Sequence, residues 1–126
     1  MPPGTNGGVS VTGLLASALG GLLMGVVYSV AAFAAGALGG TPPPAYGAAL
    51  AMGLFAGLGG SLLDSLLGAT VQYSGLDPAT GKVYNRPVKG KALVQIAGSD
   101  RISNGTVNFI SATLTALIAM AHAGGF

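Results

Sequence analysis

The residue in this chain whose chemistry most needs explaining is Asp64. No residue from Met1 to Leu63 is charged, and Asp64 then appears inside the apolar stretch GLGGSLLDSLLGATV. A carboxylate embedded in an apolar helix is costly unless it is partnered, and inside a membrane it is a functional residue by default. Gly57, Gly60, Ser61 and Gly68 fall on its helical face and form a narrow, weakly polar stripe. Such a stripe can admit a metal ion with a phosphate, or another helix. Magnesium suits the first option, because it accepts one or two carboxylates together with substrate phosphate and retained water. The alternative for Asp64 is a structural hydrogen bond or a basic partner within a helix bundle.

Three further groups carry candidate chemistry. Gly4-Thr5-Asn6-Gly7-Gly8 can present several backbone amides at the positive end of a helix, an arrangement suited to phosphate. It lacks the Gly-x-x-x-x-Gly-Lys-Ser/Thr spacing of a nucleotide P-loop, and its other reading is a flexible turn leading into a helix. Asn104 and Asn108 are four apart and share a helical face, unless Asn104 caps the helix instead. Asn108 lies deeper, where an unpaired amide is expensive. Arg86, Lys89 and Lys91 can bind phosphate, Arg86 bidentately and the lysines as point charges. A basic loop beside a membrane also meets anionic headgroups and sets topology. Tyr73, Tyr84, Ser99 and Asp100 are secondary candidates. Asp77-Pro78-Ala79-Thr80-Gly81 reads as a turn. No Ser-His-Asp arrangement occurs, and His122 stands alone as an interfacial residue.

The elements that must position these groups follow from composition. Of the 126 residues, 51% are hydrophobic, 6% are charged and 23 are glycine, outside the range of a soluble domain, which would be roughly a quarter charged. All charged residues lie between Asp64 and Arg101. The expected fold is therefore an all-α membrane protein, one domain of about three transmembrane helices with a polar loop on the cytoplasmic-equivalent side. The spans are read as 9–38, 45–68 and 106–123, with the loop at 69–105. The first exceeds the roughly 20 residues a span needs, and is one helix with an irregular end or two shorter pieces. Ser10 or Thr12 is placed to cap it, and Gly39-Gly40-Thr41-Pro42-Pro43-Pro44 ends it. On this reading Asp64 lies about four residues, or about 6 Å, from the end of the second span. Thr70–Tyr73 and Ala92–Ile96 are expected to extend or pair as strands.

Lys82, Arg86, Lys89, Lys91 and Arg101 face only Asp77 and Asp100 in the loop, which the positive-inside tendency places in the cytoplasm or its equivalent, together with the amino terminus. The glycine-rich segment, Asp64, the loop cations and the two asparagines then converge at one membrane face. Gly21 with Gly25, Gly36 with Gly40, and Gly53 with Gly57 have small-xxx-small spacing, which permits close helix approach. No cysteine is present, which excludes disulfides and thiolate metal sites. No cleavable leader is expected, since the first positive charge is Lys82. Without aromatic interleaving or a dense basic patch, nucleic acid is not an expected partner. Membrane lipids are.

GTNGGVSVTGLLAS, GLGGSLLDSLLGATVQYSGLDPATGKV and SNGTVNFIS, in that order, resemble the carboxyl-terminal half of the phytyl-phosphate kinase and transmembrane protein 19 family of integral membrane proteins. The resemblance covers almost the whole chain. It implies a CTP-dependent kinase that converts phytyl phosphate, an isoprenoid phosphate, to the diphosphate. Gly4, Thr5, Asn6, Gly7 and Gly8 match the family's glycine-rich segment, Asp64 its membrane aspartate, and Asn104 and Asn108 its late asparagines. Placement and chemistry then assign Asp64 to Mg2+, the asparagines to orienting phosphate, and the glycine-rich segment with Arg86, Lys89 and Lys91 to the nucleotide phosphates. Family members carry upstream helices with an acidic segment, whereas this sequence contains no glutamate. The expectation is a part of a larger bundle that draws on upstream helices or a partner chain. The competing class is a non-enzymatic membrane protein, a transporter segment or packing subunit; a third is another nucleotide-dependent lipid-phosphate transferase.

Overall fold

The computed structural model describes residues 1–39 and 45–122. Thr41-Pro42-Pro43-Pro44, the Gly40 partner of Gly36 and the end of the third span at Ala123 lie outside the described residues. Three helices, α1 (Val11–Ala37), α2 (Tyr46–Val71) and α3 (Asn104–His122), are each long and apolar enough to cross a membrane. This is the expected three-span, mainly helical architecture, and α1 is a single unbroken helix with Ser10 immediately before it. The chain divides into two units, one of Met1–Ser10 with Leu62–Leu114, the other of Val11–Ser61 with the segment from Thr115 onward.

The second unit is helical. Its α1 and the first part of α2 run antiparallel and meet at glycines: Gly21 lies against Gly53 and Gly57, and Gly25 against Ala49 and Leu50. Without a Cβ at these positions the two backbones touch directly, the close approach that stabilises helix pairs in lipid. Two of the small-residue pairs read from the sequence thus form one seam. Ser29 is buried beside it and donates its hydroxyl proton to the Gly25 carbonyl at 2.8 Å, so no polar atom is stranded. Gly60 of α2 faces Thr115 of α3. The apolar side chains of Leu15, Leu19, Leu23, Val30 and Phe33 remain exposed, as on a helix that meets lipid. A groove of about 870 Å³ is lined by Met24, Tyr28, Met52, Phe55 and His122, with the His122 ring stacked on Phe55 at 6.4 Å.

The first unit combines the amino-terminal segment, the end of α2, the loop and the start of α3. Here α2 continues to Val71, three residues beyond the expected end, and Asp64 lies seven residues, about 10 Å, inside it rather than about 6 Å. The last carbonyls are satisfied by the returning chain, which makes the extension possible: Ser99 Oγ donates to Thr70 O at 3.4 Å and Arg101 N to Val71 O at 3.3 Å. The strand expected at Thr70–Tyr73 is therefore corrected to helix followed by a short connection.

Strand β1 is Ser74–Leu76, flanked by β2 (Val83–Tyr84) and β3 (Val94–Ala97) in a small antiparallel sheet of order β2-β1-β3. Gly75 pairs with Tyr84 and Leu76 with Val83 on one side, while Ser74 pairs with Ala97 and Leu76 with Val94 on the other, across a bulge at Ser74/Gly75. The turn read at Asp77–Gly81 forms, with Ala79 N donating to Asp77 Oδ1 at 3.0 Å and Gly81 N to Asp77 O at 2.8 Å. The strand expected at Ala92–Ile96 thus forms as β3, shifted to Val94–Ala97, while β1 and β2 lie in stretches that the sequence reads as loop. Finally, α3 starts at Asn104 instead of 106, and its cap is Ser103, not Asn104: Ser103 Oγ accepts from Thr106 N at 3.2 Å.

Candidate functional site

The amino-terminal segment is built from two successive turns. Thr5 N donates to Pro2 O and Gly8 N to Thr5 O, with Gly4 and Gly7 at φ of 89° and 76°, the left-handed values such turns need at their third residue. Thr5 Oγ1 also donates to Pro2 O, at 2.7 Å. These turns aim Asn6 at the start of the sheet. Its amide donates to Ser74 Oγ at 2.9 Å and its side-chain Nδ2 to Tyr73 O at 2.8 Å. Ser74 is fully buried, so this latch fixes the segment to the end of α2. Three of the five amides in Gly4–Gly8 are thereby bonded within the fold.

Gly7 explains why the latch closes. A Cβ added there would overlap Ala69 Cβ and Ser65 O, so the segment lies directly on the α2 backbone, beside Gly68. Gly7→Ala combines that overlap with an unfavourable φ and is expected to cost about 1–3 kcal/mol. Amide hydrogen exchange at Asn6 should accelerate accordingly; unchanged protection would contradict the latch.

Two contacts join the end of α2 to α3. Gln72 Nε2 donates to Asn104 Oδ1 at 3.3 Å, and Ser111 Oγ lies 3.1 Å from both Asp64 Oδ1 and the Asn108 carbonyl. When Asp64 is ionised its oxygen is the stronger acceptor, so the Ser111 proton turns toward the carboxylate. Ser111 and Gln72 are buried, whereas Asn104 and the Asn108 side chain are exposed. Gly98, at φ 58°, lies against the Gln72 carbonyl where a Cβ would not fit, and its own carbonyl accepts from Gln95 Nε2.

The glycine-rich segment, Asp64, the loop and both asparagines thus belong to one unit. Among the described residues, however, no hydrogen bond joins Asp64 directly to Asn6, Asn104 or a loop cation. The glycines expected to leave a stripe beside Asp64 are covered: Gly57 by Gly21, Gly60 by Thr115 and Gly68 by Gly7. Lys91 is paired with Asp77 at 3.3 Å, and its ammonium also donates to Tyr84 Oη at 2.6 Å, so two of its three donors are held within the loop. The Thr80 hydroxyl and Ala79 amide, with Lys91 adding to them, hold the Asp77 carboxyl below its ordinary pKa. Hydrogen bonds to Tyr84 and then Asp77 raise that of Lys91. Arg86 and Lys89 are exposed.

Gln72, Ser74, Ser103 and Ser111 have no role in the sequence reading, where Gly98 with Ser99 is only a turn signal. Ser111 alone carried a signal: it lies three residues after Asn108 and seven after Asn104, on their helical face. No group of three His, Cys, Asp or Glu side chains gathers among the described residues, so Asp64 belongs to no closed protein cage. One carboxylate does fit Mg2+ when phosphate oxygens and water complete the octahedron.

Three membrane-length helices and a polar cluster at the ends of two of them define a multi-pass integral membrane protein. The chain belongs to the family described as Integral membrane protein DUF92, which matches residues 1–116. This agrees with the family indicated by the three sequence motifs. It is also similar to "Protein PGR" of Arabidopsis thaliana, with 36% identity over 115 residues that cover 91% of this chain and 39% of that protein. The chain therefore spans well under half the length of that relative. No solved structure matches it.

Proposed function

We propose that the chain forms part of an isoprenoid-phosphate kinase that transfers the terminal phosphoryl group of CTP to phytyl phosphate. The observation that carries this reading is Asp64, a carboxylate within an apolar helix, oriented by the Ser111 hydroxyl and followed on α3 by Asn108 and Asn104. The substrate class is what the resemblance carried by the three sequence motifs implies. In the reaction a non-bridging oxygen of the monophosphate attacks the γ-phosphorus of CTP. The bond from that phosphorus to the β–γ bridging oxygen breaks, and CDP leaves with the electron pair.

Phosphoryl transfer asks mainly for alignment and charge neutralisation. Asp64 would hold Mg2+, which when bound neutralises charge on the phosphates. The amides of Asn104 and Asn108 orient the phosphates from the start of α3. Gln72 fixes Asn104 through its carbonyl oxygen and so leaves the amide donors of Asn104 facing outward. The glycine-rich segment holds Asn6 in place, with the Gly4 and Gly7 amides as its contribution to phosphate. The isoprenoid tail stays in the bilayer, and the basic excess of the loop sets this unit on the cytoplasmic-equivalent side. Since the chain spans 39% of the plant relative, the activity is assigned to this chain together with its companion helices.

A second reading is favoured by the same contact. Ser111–Asp64 ties α3 to α2, as a packing or transporter subunit would need. The two separate when membranes holding the chain, alone and with the upstream portion of the plant relative, receive γ-labelled CTP and either phytyl phosphate or a matched diacyl lipid phosphate. Label is expected in phytyl diphosphate. Label in the diacyl product only assigns another lipid-phosphate transferase, and no transfer in either arm sinks the enzyme reading.

A further inference from the structure

We propose that the exposed cations Lys82, Arg86 and Lys89 form a docking surface for the anionic phosphate headgroups of the bilayer that holds the helices. This goes beyond the kinase reading, and it gives these cations a partner other than a nucleotide. Between Asp77 and Lys91 the chain carries four basic residues and one acid. That acid is already neutralised, because Asp77 is bound by Lys91 at 3.3 Å, the one ion pair among the described residues. Lys82, Arg86 and Lys89 remain exposed without an acidic partner within 4.0 Å there.

The fold draws together the two turns that flank these charges. Lys82 precedes β2, the outer strand of the sheet, and its carbonyl is held by the Asp77 amide at 2.9 Å. Two ammonium groups lie over the Tyr84 ring, Lys91 at 4.6 Å and Lys82 at 5.6 Å from its centroid. The same ring therefore holds residues from two separate turns in one patch. Glycines with positive φ, Gly81 and Gly90, make those turns and have open space around them.

Connectivity keeps the patch at the membrane. The sheet starts three residues after α2 ends at Val71, and at about 3.4 Å per residue the chain from Val71 to Asp77 reaches at most about 20 Å. With 26 residues α2 is about 39 Å long, so it extends from the roughly 30 Å hydrocarbon core into the headgroup layer. Cations anchored so close to an anionic leaflet are attracted by it, over a range of about 8 Å at physiological salt. An array of exposed charges suits a planar array of headgroups better than a single polyphosphate, which favours a concave site.

The test places the full chain in nanodiscs of phosphatidylcholine alone or mixed with phosphatidylglycerol and follows tryptic cleavage after Lys82 and Lys89. Cleavage is expected to slow several-fold in the anionic discs, and the difference should vanish at high salt. Amide exchange over residues 82–91 is measured in parallel on the wild type and on the triple variant K82Q/R86Q/K89Q. Wild-type exchange should slow in anionic discs and that of the variant should not, with helix content and disc incorporation unchanged. Equal wild-type rates in both discs overturn the proposal. So does equal protection by CTP or inorganic phosphate in neutral discs, which would assign the patch to a soluble phosphate. Neither readout uses kinase activity, so the kinase reading can fail without affecting this one.

Discussion

Gly53→Leu is expected to prevent α1 and α2 from pairing, while Gly59→Ala six residues later is expected to leave the protein intact. A Cβ at Gly53 would overlap the Gly21 carbonyl oxygen and lie 3.0 Å from the Gly25 amide nitrogen, whereas one at Gly59 would meet nothing within 4 Å. Overpacking costs about 1–3 kcal/mol where side chains can shift aside. Here the obstruction is the backbone of a neighbouring helix, so the cost lies at or above the upper end of that range. The same contrast holds between Gly21 and its neighbour Gly20, which also has open space. At the open sites alanine recovers up to about 1 kcal/mol of helix propensity. Unfolding in mixed micelles of increasing SDS content, followed by far-ultraviolet circular dichroism, measures both effects. A Gly53→Leu midpoint equal to that of the wild type would show that the seam does not hold the helices together.

That seam was legible in the sequence because lipid leaves so few ways of packing helices. Long runs without charge set the spans, and small residues four apart set where they touch, so Gly21, Gly25, Gly53 and Gly57 follow from spacing alone. The polar unit was only partly legible. Asp64, Asn6 and Asn104 stood out because an ionised or amide group near apolar sequence is rare. Their partners Ser111, Gln72 and Ser74 did not, because a serine or glutamine is common within a helix or just after one, and its value depends on what it reaches across space. The end of α2 was missed for a related reason. Its last carbonyls are satisfied by Ser99 and Arg101, about thirty residues away in sequence, which no local pattern encodes. Gly98 shows the same limit, since its tight place against Gln72 exists only once β3 has folded back.

Asp64 and Ser111 separate the catalytic from the structural reading because each substitution removes a different half of their contact. Asp64→Asn keeps an oxygen that can accept from Ser111 Oγ at the observed 3.1 Å, but it removes the charge. Ser111→Ala keeps the charge and removes the donor. If Asp64 holds a metal for phosphoryl transfer, loss of its charge forfeits several kcal/mol of stabilisation, and phytyl diphosphate formation should fall by about 10²-fold or more. Ser111→Ala should then lower the rate by about tenfold, since a hydrogen bond to a charged group contributes about 1.5–3 kcal/mol. Together the two substitutions should cost little more than Asp64→Asn alone, because the hydroxyl acts through the carboxylate. A Mg2+ titration adds a readout that packing would not move: Ser111→Ala should require more Mg2+ for half-maximal rate at an unchanged SDS midpoint. The packing reading reverses the order. On that reading Ser111→Ala lowers the SDS midpoint, Asp64→Asn spares it, and neither changes the Mg2+ dependence, because what matters is the bridge between α2 and α3 and not the charge at one end of it.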